Sequence, residues 1–230
     1  MARSLTLALL REGTTDSLFL SDLLRRLMDE ICSDMDLLRY PIEVGPVRDL
    51  FRESGMKRSL DSFKELAIQE KAKDSFDLLF VHADGDGNPD AIRQYQIQPI
   101  AEHIRQLSSK PDVETIAVVP VREMEAWTLV DGDALRRVFS CSLSDEQMGL
   151  PVPFRKAESL ADPKACFEKC FEVIMGRRKN SRGKLRAHDF LELIGQEVSF
   201  ERLRHLSAFQ QLENDLRTAL TQLGILKEIA

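Results

Sequence analysis

Three short apolar runs frame this chain. Leu5-Thr6-Leu7-Ala8-Leu9-Leu10, Leu78-Leu79-Phe80-Val81 and Thr115-Ile116-Ala117-Val118-Val119-Pro120-Val121 are almost unbroken in apolar residues. That is the pattern of parallel strands buried on both faces. Ile42-Glu43-Val44-Gly45-Pro46-Val47 reads as a further, shorter strand. Between the runs the period becomes helical. Leu18, Leu20, Leu23, Leu24, Leu27, Met28 and Ile31 mark an amphipathic helix over 15–31, with Thr14 or Thr15 placed to cap it. Leu60, Phe63, Leu66 and Ala67 mark a second helix over 58–73. Pro89 suits the first turn of a third helix reaching residue 107, which Pro99 is expected to kink or split. The order over residues 4–122 is therefore β-α-β-α-β-α-β. This alternation predicts the α/β class, a Rossmann-like parallel sheet flanked by helices.

Past residue 122 only helical periods remain, over 123–131, 162–175, 187–194 and 206–224. The last carries Phe209, Leu212, Leu216, Leu220 and Leu223 and stops at Gly224. Pro151 and Pro153 mark a loose boundary. The expected organisation is an α/β core over 1–140 and a helical C-terminal cap over 141–230 packed on it.

Composition narrows the function classes. The 230 residues are enough for one large core, and 43% hydrophobic with 30% charged residues is ordinary for a soluble globular chain. No apolar run is long enough for a membrane span, and the first is too short for a secretory signal, so a cytoplasmic protein is expected. The net charge of −6 excludes a generally basic surface, so any contact with nucleic acid must be local. Cys32, Cys141, Cys166 and Cys170 are few for this length and read as buried free thiols. Cys166 and Cys170 share a helix spacing, but no nearby histidine completes a zinc site.

Candidate chemistry gathers where strands end. The run at 78–81 leads into His82-Ala83-Asp84-Gly85-Asp86-Gly87. The glycines let the chain turn beside two carboxylates, at the edge where open α/β sheets bind ligands. The first run likewise ends in Arg11-Glu12-Gly13-Thr14-Thr15-Asp16. In a parallel sheet the two ends share an edge, so Glu12, Asp84 and Asp86 are expected to meet. Close carboxylates repel, and hard oxygen donors open to solvent suit Mg²⁺ or Mn²⁺ rather than zinc. His82 would share the face of Asp84 and reads as a packed strand-end side chain.

After the run at 115–121 comes Arg122-Glu123-Met124-Glu125-Ala126-Trp127. Glu125 and Glu123 are candidates for a second metal or a general base, and Arg122 for a phosphate contact. Trp127 reads as core. The stretch 177–186 holds Arg177, Arg178, Lys179, Arg182, Lys184 and Arg186, six cations in ten residues of an otherwise acidic chain. It is a candidate for contacts to a phosphate backbone, as is Lys164 after Asp162-Pro163. Neither G-x-x-x-x-G-K-[ST] nor a G-x-G-x-x-G after the first strand is present, so ATP hydrolysis by this chain is not expected. Asp84-Gly85-Asp86-Gly87-Asn88 opens like a calcium loop but fails it, with Pro89 at the glycine position and Tyr95 at the bidentate glutamate.

Glu-Gly-Thr-Thr-Asp after the first strand and Asp-x-Asp after the third resemble the Toprim domain of topoisomerases, primases and OLD nucleases. The fuller pattern is similar to the Toprim-like bacterial family named domain of unknown function 4276. Its marks here are Arg11-Glu12-Gly13, His82-Ala83-Asp84-Gly85-Asp86, Val121-Arg122-Glu123-Met124-Glu125-Ala126-Trp127, Asp162-Pro163-Lys164 and the helix around Phe209. The resemblance implies Mg²⁺-dependent phosphodiester chemistry, with DNA cleavage or nicking in bacterial anti-phage defence. It implies Glu12, Asp84 and Asp86 as the metal acids. It also implies a separate ABC-type or SMC-like ATPase as partner. Two other function classes stay open: a non-catalytic regulatory subunit that binds such an ATPase, and a phosphatase or phosphotransferase with an aspartate nucleophile. Whether the chain forms a homo-oligomer is also open.

Overall fold

A computed structural model describes residues 2–56, 60–71, 76–107, 113–176 and 185–228. Strand β1 (Arg3–Leu10) is followed by helix α1 (Asp16–Ser33), strand β2 (Ile42–Asp49), and helices α2 (Leu50–Ser54) and α3 (Leu60–Lys71). Strand β3 (Leu78–His82) leads to α4 (Pro89–Ile92), a π-helical turn (Arg93–Ile97) and α5 (Gln98–Leu107), then to strand β4 (Glu114–Val118). Next come α6 (Glu125–Thr128), α7 (Gly132–Phe139), α8 (Asp145–Met148), a 3₁₀ turn (Phe154–Ser159) and α9 (Pro163–Gly176). A second 3₁₀ turn (Ala187–Phe190), α10 (Leu191–Glu197), α11 (Phe200–Leu203) and α12 (Ser207–Gln222) complete the order.

The four strands form one sheet in the order β2-β1-β3-β4, and every neighbouring pair is parallel. Period-two alternation divides their side chains between two cores. Leu5, Leu7, Leu9, Leu78, Phe80, Ile116 and Val118 face a large core shared with α1 and the helices after residue 122. Ala8, Leu10, Leu79, Val81 and Val119 face a smaller one, shared with Leu50, Phe51, Phe63, Leu66, Ala67, Ile97, Ile100 and Ile104. The sheet is thus an α/β layer covered on both sides. α12 packs against β4 and α10 against α1, so the C-terminal helices close the larger core.

Several elements differ from their expected bounds for physical reasons. β4 ends at Val118 rather than 121. Beyond it, the Val121 and Arg122 carbonyls accept from the Gly87 and Gly85 amides, both at 2.8 Å, and Pro120 has no amide for a ladder. The irregularity expected at Pro99 lies one turn earlier. Proline has no amide for the Tyr95 carbonyl and its ring crowds that oxygen, and the π turn, in which Gln98 N–H reaches the Arg93 carbonyl, makes the room. The helix expected over 123–131 is only the single turn α6. Asp131 then caps α7, a helix that the periodicity did not reveal. Thr15 sits at the N-cap of α1 but makes no side-chain cap bond. Among the described residues, no helix is long and apolar enough to cross a membrane. All four cysteines are free thiols, Cys32 and Cys170 buried and Cys141 and Cys166 half-buried.

Candidate metal centre

Strand order decides where a site forms. β1 lies between β2 and β3, so the chain leaves β1 toward one side and later returns to the other. The carboxyl ends of β1 and β3 therefore flank the topological switch point, where open α/β sheets leave a crevice for ligands. Glu12 follows β1 and Asp84 follows β3. A Glu12 oxygen accepts the Asp84 backbone amide at 3.0 Å, which ties the two strand ends together.

The alternation of β3 supplies the next group. His82 falls on the Phe80 face, toward the first turn of α1, and is only 1% exposed. Its Nδ1 lies 2.8 Å from the Val118 carbonyl oxygen. A carbonyl can only accept, so Nδ1 carries the proton. Nε2 lies 3.2 Å from an Asp16 oxygen and 3.8 Å from Asp84 Oδ1, off the line of a hydrogen bond to either. Asp16 also accepts the Gly13 amide at 2.5 Å. Burial opposes charge on His82, yet Asp16 and then Asp84 outweigh it and raise its pKa. Burial likewise opposes charge on Asp16, but His82 and the Gly13 amide hold its carboxyl below the usual range.

Asp84 is the unbalanced member. Its Oδ1 is buried and has no hydrogen-bond partner. Burial pushes its carboxyl up to about 7; Asp16, Glu125 and Glu12 add to the shift while His82 opposes it. Glu125, at the start of α6, is raised by burial and by Glu123 and Asp16, and Lys164 pulls the other way. Two residues on, Trp127 is fully buried and meets the Phe209 ring edge-on at 5.6 Å, so the Glu-Ala-Trp stretch anchors Glu125 into the helical layer.

The structure therefore brings Glu12, Asp84 and Glu125 to one edge and adds Asp16, to which the sequence reading gave no role of its own. The available signal was an acid three residues after Gly13, on a helix that starts at a strand end. Asp86 is solvent-exposed at a left-handed φ of 48° in the turn. Gly85 permits that turn: a Cβ there would lie 2.1 Å from the Pro120 carbonyl oxygen. The Arg122 guanidinium lies over Gly87. Glu123 caps α9, accepting the Lys164 amide at 3.0 Å beside the Asp162 carboxylate on Ala165. Lys164 and the exposed Arg186 line a cleft of about 540 Å³ that opens from Glu125 between α9 and the 3₁₀ turn at Ala187–Phe190. Arg177, Arg178, Lys179, Arg182 and Lys184 lie outside the described residues.

The donor set is all oxygen and includes an orphaned, partly desolvated carboxylate. In kind it fits a hard divalent cation. Among the described residues no three such groups converge at coordinating distance.

Fold and edge define a class, parallel α/β proteins with an acidic crevice at the switch point. Residues 11–217 match the family described as Domain of unknown function (DUF4276), and the chain belongs to that family. No curated protein and no solved structure matches it.

Proposed function

We propose that this protein is a Mg²⁺- or Mn²⁺-dependent nuclease of Toprim type, related in its core to the OLD nucleases and acting on DNA with a separate ATPase in defence. The reading rests on one observation above the others. A carboxylate at the switch point has its Oδ1 buried without a partner, among three further carboxylates. An arrangement that raises an acid this far costs stability unless a ligand offsets it. Asp84, with Glu12 or Glu125, would hold the cation, with Asp16 and His82 fixing the charge around Asp84. Bound there, a divalent cation neutralises charge on a scissile phosphate and lowers the pKa of an attacking water. Lys164 reaches a phosphate beside Glu125, and Arg122 and Arg186 extend contact along the backbone.

The test is plasmid cleavage by the purified chain in Mg²⁺, Mn²⁺ or EDTA, beside Asp84→Ala and with or without an ABC-type or SMC-like ATPase supplied as the candidate partner. Metal-dependent nicking that Asp84→Ala abolishes is expected, weak in the isolated chain and stronger with the partner. Cleavage that survives the substitution, or none under any of these conditions, contradicts the nuclease reading.

A further inference from the structure

Arg11 is almost fully buried, at 7% exposure, at the last step before the acidic edge. Its Nε donates to Asp49 Oδ2 at 2.6 Å and its Nη1 donates to the Gly13 carbonyl at 2.6 Å. Asp49 ends β2, and its other oxygen accepts the Arg52 amide at 3.1 Å to cap α2. Both backbone groups of Gly13 are thus held, its carbonyl by Arg11 and its amide by Asp16. A side chain at Gly13 would displace the Asp16 carboxylate, because a Cβ would lie 2.3 Å from its Oδ1. Asp49, Arg11, Gly13, Asp16, His82 and the Val118 carbonyl form a polar belt that crosses all four strand ends in sheet order. A buried ion pair is a poor device for stability alone, since apolar side chains of the same size do as well. It is a good device for fixing geometry, because a guanidinium fork binds two acceptors in set directions.

We propose that Arg11, braced by Asp49, is a positioning residue for the acidic edge. It acts through the Gly13 peptide to set Glu12 and Asp16 against Asp84. The inference rests on the metal reading above for its consequence, but the positioning itself can be measured without metal.

The variants are Arg11→Gln/Asp49→Asn, which removes both charges together and keeps the α2 cap acceptor, and Arg11→Lys, which keeps the charge but loses the fork. In metal-free protein, amide exchange at Gly13 is followed by NMR alongside the urea midpoint. Mn²⁺ affinity is measured by EPR, with Asp84→Ala as the control. The expected result is at least about tenfold faster Gly13 exchange, and Mn²⁺ binding weakened about tenfold or more, in both variants. Midpoints should stay near wild type for the double variant. Unchanged Gly13 exchange in the double variant, or wild-type Mn²⁺ affinity in Arg11→Lys, overturns the positioning role. Wild-type protein that binds no Mn²⁺, or binds it equally well with Asp84→Ala, overturns the metal reading instead, and the exchange result then still decides whether Arg11 positions the turn.

Discussion

Carboxylates at least half withdrawn from solvent occur in two regions of this molecule, and they are treated in opposite ways. In the helical layer, Asp131 accepts amides from Asp133, Ala134 and Ser199, so that one side chain caps α7 and holds the turn before α11. Glu158 does the same for α12, taking the Ser207 and Ala208 amides and the Ser207 hydroxyl. These acids have their hydrogen-bonding capacity spent on backbone. At the switch point, Asp84 has a buried oxygen with no donor, and the neighbouring imidazole of His82 is shared with Asp16. A fold able to satisfy its buried acids elsewhere leaves one open at the place where α/β sheets bind ligands. That contrast is the case for a site rather than a packing accident.

The contrast breaks most visibly by substitution. Asp84→Ala should lower metal-dependent cleavage by at least about 100-fold, as loss of a main electrostatic stabiliser does, and should not lower the urea midpoint. Asp131→Ala should do the reverse. Stranding three amides should cost about 3 kcal/mol in urea unfolding, while any activity of the remaining folded protein persists. If the two substitutions behaved alike, the division between open and closed acids would be lost.

Gly85→Ala probes the turn that presents Asp84. A Cβ 2.1 Å from the Pro120 carbonyl oxygen forces the backbone apart. The expected cost is about 1–3 kcal/mol in unfolding, together with weaker Mn²⁺ binding.

A further effect is on pH dependence. Asp84 is raised from an ordinary 3.8 to about 7 in the folded protein. The native state therefore keeps a proton that the unfolded chain releases. This favours folding below about pH 4 and is lost as pH rises through about 7. Urea titrations in EDTA across this window should show wild type losing stability relative to Asp84→Asn, while Mn²⁺ binding strengthens over the same range. Parallel curves for the two proteins would count against an open, ionisable Asp84.

Much of this was legible in the chain. The strands at 5–10, 78–81 and 115–121 are read from apolar runs because both sheet faces are covered, the last of them three residues too long, and Glu12 and Asp84 follow because an acid and a glycine interrupt such runs. Trp127 as core follows from its place in a short apolar turn. What escaped depends on distant partners. The role of Asp16 needs His82, sixty-six positions away, and that of Asp131 needs Ser199. Glu123 was read as a metal candidate, and it caps a helix that begins forty residues later. Nor could β4 reveal its own end, because the Gly85–Gly87 turn takes the Val121 and Arg122 carbonyls. Spacing marks which acids stand near a strand end; only the tertiary hydrogen bonds separate the satisfied from the open.

The most direct test of the central claim is an anomalous difference map from crystals of the whole chain grown with Mn²⁺. A peak within coordination distance of the Asp84 carboxylate, with Glu12 or Glu125 completing its protein ligands, is the predicted result. An ordered Asp84 with no Mn²⁺ beside it, in crystals that hold the ion elsewhere or not at all, would contradict the account.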